Sequence, residues 1–125
     1  MAKKPAKNKA REDRISFEIV ADAHDVEEQV MGWYYYLEDK MTFPFTATCT
    51  AEREISPLQK GDEVEVIEQA SEDECSREMF VKIRWERRGL AVPLSQLKPS
   101  SATDAETKEA VEDWHYWVGQ GYEFG

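Results

Sequence analysis

The sequence predicts an α+β domain in which two amphipathic helices flank a run of short antiparallel strands. Three patterns carry that expectation. Val26, Val30, Trp33 and Leu37 recur at i, i+4, i+7 and i+11, the stripe of a helix facing a core. Beyond Met41 the period drops to two, with Phe43, Phe45, Ala47 and Cys49 set against Thr42, Thr46, Thr48 and Thr50. Ala110, Val111, Trp114, Trp117 and Val118 restore a helical stripe near the C-terminus.

Residues 1–14 carry six basic side chains against two acidic ones and read as a disordered basic tail, with the single domain spanning 15–125. Ile15, Phe17 and Ile19 alternate with Ser16 and Glu18, which predicts a short strand over Ile15–Val20. Asp25 and Glu28 stand at N-cap and N3 spacing, so the first helix is expected over about 25–40. The extended Phe43-Pro44-Phe45 exit then leaves Glu38 and Asp39 at a helix-to-strand corner, beside carbonyls the helix no longer satisfies.

Pro57 to Asp62 is turn-rich, and Asp62 to Glu68 resumes as a strand with Val64 and Val66 on one side. An acidic loop follows at Ser71 to Glu74. Met79 to Trp85 alternates again, Arg87-Arg88-Gly89 turns the chain into Leu90–Pro93, and Ser95-Gln96-Leu97 is expected as a 3₁₀ turn. After a hinge at Pro99 to Ala102, Thr103 and Glu106 form a second capping-box signature opening a helix over about 103–119, which Gly119 or Gly121 ends. The two helices are expected to pack through Trp33, Trp114 and Trp117.

Pro57-Leu58-x-x-Gly61-Asp62-x-Val64-x-Val66, a strand ending in Trp85, and Gly89-Leu90-Ala91-Val92-Pro93-Leu94-x-x-Leu97 together resemble the layout of small SH3-like β-barrels. The resemblance covers about residues 43–98 and implies a fold, not a task, because such barrels serve many functions.

A chain of 125 residues supports one domain with a real core. Outside the tail, ten basic side chains face twenty-four acidic ones, a net −14 against the tail's +4. Such a body attracts cations and repels phosphates, which argues against nucleic-acid binding through the folded part. Cys49 and Cys75 lack metal-site spacing and do not suggest a disulfide scaffold. No apolar run approaches the roughly 20 residues needed to span a bilayer, so the expectation is a cytoplasmic protein off the membrane, monomeric or weakly oligomeric.

Enzyme signatures are missing: no phosphate-cradling glycine motif, no Gly-x-Ser-x-Gly and no His-Glu-x-x-His. His115, between Trp114 and Tyr116, reads as a packed or half-exposed structural histidine. Abundant carboxylates make each one weak evidence, and those of the C-terminal helix and the 72–74 loop read first as solvated surface. The EF-hand pattern is lacking, so a cation site must draw carboxylates from separate segments. Glu38 and Asp39 have the better case, because adjacent like charges call for relief by water or a cation.

Met31-Gly32-Trp33-Tyr34-Tyr35-Tyr36-Leu37-Glu38-Asp39-Lys40, Val92-Pro93-Leu94-Ser95-Gln96-Leu97 and Val111-Glu112-Asp113-Trp114-His115-Tyr116-Trp117-Val118-Gly119-Gln120-Gly121-Tyr122 are similar to the small cyanobacterial calcium-binding CcbP family. That resemblance spans about residues 14–124. It implies a cytoplasmic, non-EF-hand binder of Ca²⁺ at acidic surface patches, linked in filamentous cyanobacteria to heterocyst differentiation, with Asp39 in the stronger site. The expected reading is a calcium buffer or weak sensor: Asp39 and Glu38 form one cluster, and Asp113 and Glu112 complete it or build a second. Two rivals stand beside it, an ion-independent protein-interaction module using exposed tyrosine surface and an acidic nucleic-acid mimic.

Overall fold

In the computed structural model, which describes residues 6–124, short strands of alternating burial pair into one five-stranded antiparallel sheet. Strands β1 (Phe45–Cys49), β2 (Glu63–Gln69), β3 (Phe80–Trp85), β4 (Arg88–Pro93) and β5 (Leu97–Pro99) lie in the order β4-β3-β2-β1-β5. Phe45, Ala47 and Cys49 of β1 face the core while Thr46 faces water, the alternation the sequence announces. Gly61 makes the turn into β2: its φ of +97° suits a residue without Cβ, and its N–H donates to the Cys49 carbonyl at 2.8 Å. The β3–β4 hairpin turns at Glu86 and Arg87, so Arg88 already pairs with Trp85 and Gly89 with Arg84, two residues earlier than expected.

The pairing leaves β4 and β5 as unjoined edges. The closed SH3-like barrel expected over 43–98 is therefore not found among the described residues, and the fold is an open sheet with helices. A 3₁₀ turn at Leu94–Gln96 does form, but it leads into the three-residue β5, which pairs with β1.

Three α-helices accompany the sheet among the described residues. Helix α2 (Val26–Lys40) starts where Asp25 accepts from the Glu28 N–H at 2.8 Å, and it ends where Met41 turns extended. Its buried face is Val30, Trp33, Tyr34 and Leu37; Val26, in the first turn after the cap, is exposed instead. Helix α3 (Ala105–Gly119) is capped by Asp104, not Thr103. The cap moves one residue because Thr107 then sits at N3, where its N–H and its hydroxyl both donate to Asp104, at 3.0 and 2.7 Å. Those bonds hold the Asp104 carboxyl below its ordinary range.

Trp33 meets Trp114 and Trp117 edge-on, with ring centroids 5.1 and 5.5 Å apart, which is the helix–helix contact expected from the sequence. Each buried aromatic removes some 150–250 Å² from water, roughly 4–6 kcal/mol gross. Met41, Phe45, Leu58, Met79 and Leu97 join these rings in one core.

The N-terminal segment departs most from expectation. Lys9–Arg14 forms helix α1, capped by Asn8, and runs into a π-helical turn over Ile15–Ile19. Ile15 and Ile19 are buried, whereas Phe17 is 74% exposed. Apolar residues at 15, 17 and 19 fit a strand, yet only the pair four apart is used, and that spacing belongs to a helix. Residues 1–5 of the expected tail lie outside the described residues.

The π-turn lies directly on α2 at Gly32, where a Cβ would collide with the Ile19 carbonyl oxygen. Alanine is the better helix former by about 1 kcal/mol, but overpacking against main chain costs about 1–3 kcal/mol. Gly32→Ala is expected to lower the thermal midpoint and to expose the 15–19 turn, read by calorimetry and amide exchange; a midpoint unchanged or raised would contradict this packing.

Candidate metal centre

The last turn of α2 places Glu38 and Asp39 in solvent, because Leu37 and Tyr34 occupy the buried face. The Asp39 side chain is 79% exposed, and Lys40 Nζ approaches its Oδ2 at 3.9 Å. The same ammonium lies 3.5 Å from Glu106 Oε1 in the first turn of α3, so one lysine stands between carboxylates of two helices. Glu38 belongs to a second neighbourhood. Tyr35 donates its hydroxyl to Glu72 at 3.4 Å, and Glu72 first, with Glu38 a smaller contributor, raises the pKa of that phenol. The 72–74 loop, read from sequence as plain surface, thus brings Glu72 near Glu38.

Asp113 sits in a different setting from the one expected. It is fully buried, and both of its oxygens are engaged: Arg11 Nη1 donates to Oδ1 at 2.6 Å, Arg14 Nη2 to Oδ1 at 3.0 Å and Nε to Oδ2 at 2.8 Å, and the Tyr36 hydroxyl to Oδ2 at 2.7 Å. Charge-assisted donors on both oxygens replace the water that burial removed. Glu112, more exposed, accepts from Arg11 Nη2 at 2.9 Å, and Arg14 also lies 3.7 Å from Glu109. Asp113 and Glu112 are thus tied to arginines and do not complete a cluster with Glu38 and Asp39. The bond to Asp113 raises the Arg14 pKa, while burial first and then the same carboxylate raise that of Tyr36. Glu12 extends the latch by accepting from the hydroxyls of Tyr116 and Tyr122.

Among the described residues, no three His, Cys, Asp or Glu side chains converge closely enough to enclose a metal ion. The donor set at the α2 terminus is nonetheless of the right kind: hard, exposed carboxylate oxygens, which suit a calcium ion that keeps much of its water. Both cysteines are buried and unbridged, and burial pushes the Cys75 thiol up to about 11.

A calcium-binding family profile, Calci_bind_CcbP, described as "Calcium binding", matches residues 13–118. The chain belongs to this CcbP family. A solved structure described as "The crystal structure of Anabaena CcbP" is 36% identical, with 96% of this chain and 98% of that one covered and a TM-score of 0.84. A second, described as "Calcium binding protein in the calcium-binding form", is also 36% identical, with 94% and 96% covered and a TM-score of 0.83. No curated protein matches. The CcbP family is a calcium-binding family and not a family of enzymes. The three sequence blocks therefore identified the family correctly.

The Asp113 latch predicts a separation of effects. Arg14→Ala leaves a buried carboxylate with one guanidinium and is expected to cost up to about 3–5 kcal/mol in urea unfolding while leaving the calcium isotherm unchanged. A calcium isotherm strengthened in that variant would instead make Asp113 a ligand. His115 gives a pH prediction. Burial, outweighing the carbonyls of Leu94 and Leu97, holds its pKa below the ordinary 6.5. Between the folded value and 6.5 the unfolded chain binds more protons, so stability falls as pH drops below 6.5. In His115→Gln that part of the loss disappears; identical slopes of urea midpoint against pH from 7.5 to 5 would refute it.

Proposed function

We propose that this chain is a calcium buffer or weak sensor that works without an EF-hand, holding Ca²⁺ at the exposed C-terminal turn of α2. The observation that carries the reading is Asp39, almost free in solvent at a helix end, within a family described by calcium binding. A helix C-terminus concentrates partial negative charge and unsatisfied carbonyls, which favours a cation there. Asp39 and Glu38 supply the carboxylates, water supplies most of the shell, and Glu106 or Glu72 would join only by a side-chain movement that releases Lys40 or Tyr35. The exposed Lys40 pairs are worth only about 0–1 kcal/mol each, so a divalent ion can displace them.

Exposed, water-completed sites bind toward the weaker part of the calcium range, on the order of 10⁻⁷ to 10⁻⁵ M. The core forms without the ion, so binding changes shape little and no catalysis is part of this role. A cytoplasmic location suits a buffer of this affinity, and no described helix is long and apolar enough to cross a membrane. We also infer that the sheet is an open relative of the SH3-like arrangement, a reading supported by its 3₁₀ turn before the last strand. Tyr35, 55% exposed, favours a second reading as an interaction surface, which capture of a partner in the presence of chelator would support.

Calcium titration calorimetry with excess Mg²⁺ tests the proposal. Asp39→Asn is expected to weaken binding about tenfold or more, and Glu38→Gln less. Lys40→Ala is expected to tighten it by a few-fold, up to the roughly 1 kcal/mol of an exposed pair. An Asp39→Asn isotherm that overlays the parent removes Asp39 from the site, and a large calcium-dependent near-ultraviolet dichroism change contradicts the rigid-core reading.

A further inference from the structure

A cleft of about 860 Å³ opens between the β1–β5 edge and α3, and its charge has the opposite sign to the rest of the protein. Lys98 of β5 and Lys108 of α3 both line it. Among the described residues, Lys98 has no carboxylate partner. Lys108 donates to the Ser101 carbonyl at 3.2 Å, and Asp104 senses it only from beyond ion-pair distance. Glu112 also lines the cleft, where it accepts at 2.9 Å from Arg11, a guanidinium it shares with Asp113. Two ammonium groups therefore stand without an ion-pair partner in a chain that carries −10 overall.

The third feature is His115, whose Nε2 is buried without a hydrogen-bond partner. Lys108, Val111 and His115 stand at i, i+3 and i+7 on α3, and all three line the same cavity. The hydroxyl-bearing Thr48 and Ser101 lie on its other walls. The volume is within the range of small-molecule pockets, roughly 300–1,000 Å³, and combines apolar wall with a few polar groups in the same manner.

We propose that this cleft binds a small organic phosphate, with Lys98 and Lys108 meeting the phosphoryl oxygens and Val111 and Tyr116 supporting its carbon skeleton. Lysine ammonium groups and hydroxyls are ordinary phosphate partners. The surrounding acidity does not forbid this. At physiological ionic strength the Debye length is about 8 Å, so charges beyond the cleft are largely screened and the local pair of lysines decides. The site neither uses nor requires the carboxylates at the α2 terminus.

Phenyl phosphate, inorganic phosphate and benzoate, each titrated into ¹⁵N-labelled protein at constant ionic strength, test the assignment. The expected result is saturable shifts at Lys98, Ser101, Lys108 and His115, tighter for phenyl phosphate than for inorganic phosphate and weakest for benzoate. Lys98→Gln combined with Lys108→Gln should weaken phenyl phosphate at least tenfold while leaving the calcium isotherm unchanged. Lys98→Gln alone, at an exposed strand position, serves if the double variant does not fold and should still weaken binding several-fold. Shifts that merely follow added NaCl, that persist undiminished in the variants, or that favour benzoate would overturn the proposal.

Discussion

A carboxylate without solvent has to be matched by protein, and at Asp113 that requirement organises the N-terminal half of the fold. Its partners come from two other helices: Arg11 and Arg14 from α1 and Tyr36 from α2. Meeting them holds α1 against α3 and aligns α2 beside both. Once held there, the chain can bury Ile15 and Ile19 through the π-turn, and Gly32 gives that turn its closest approach to α2. The aromatic contacts of Trp33 with Trp114 and Trp117 bury large apolar rings between α2 and α3. Charge matching sets the register in which they are made, because a single-residue slip would leave an ion buried without its partner.

The same accounting separates two populations of acidic side chains. Asp113 and Glu112, beside the N-terminal helix, are held by arginine, whose planar guanidinium can serve both oxygens of a carboxylate at once. Asp39 at the α2 terminus and Glu106 across from it in α3 meet Lys40 at 3.9 and 3.5 Å, in solvent, where attraction is weak and screened. A divalent ion competes poorly with the first arrangement and well with the second.

How far the sequence was legible depends on the range of the interaction concerned. Helices α2 and α3, their tryptophan contact, the alternation along β1 and the exposure of Asp39 follow from periodicities within about fifteen residues. The strand expected at Ile15–Val20 failed because apolar residues at 15, 17 and 19 satisfy a period of two, while the structure uses only Ile15 and Ile19. The tail failed differently. Lys9 to Arg14 looks solvated until Asp113, some hundred residues later, is known to be beneath it.

The sequence by itself determined the family, the α+β class, the three-tryptophan core and the carboxylate pair that ends α2. Each is written in local spacing or in contiguous blocks of unusual residues. Only the tertiary structure decided that the sheet stays open, that Glu112 and Asp113 answer to arginines, and that Lys98 and Lys108 share a cleft with His115. Those outcomes depend on which distant groups meet and on how much water each loses. Neither quantity has a signature in the order of residues alone, since a carboxylate in solvent and one sealed against two guanidinium groups are spelled the same way.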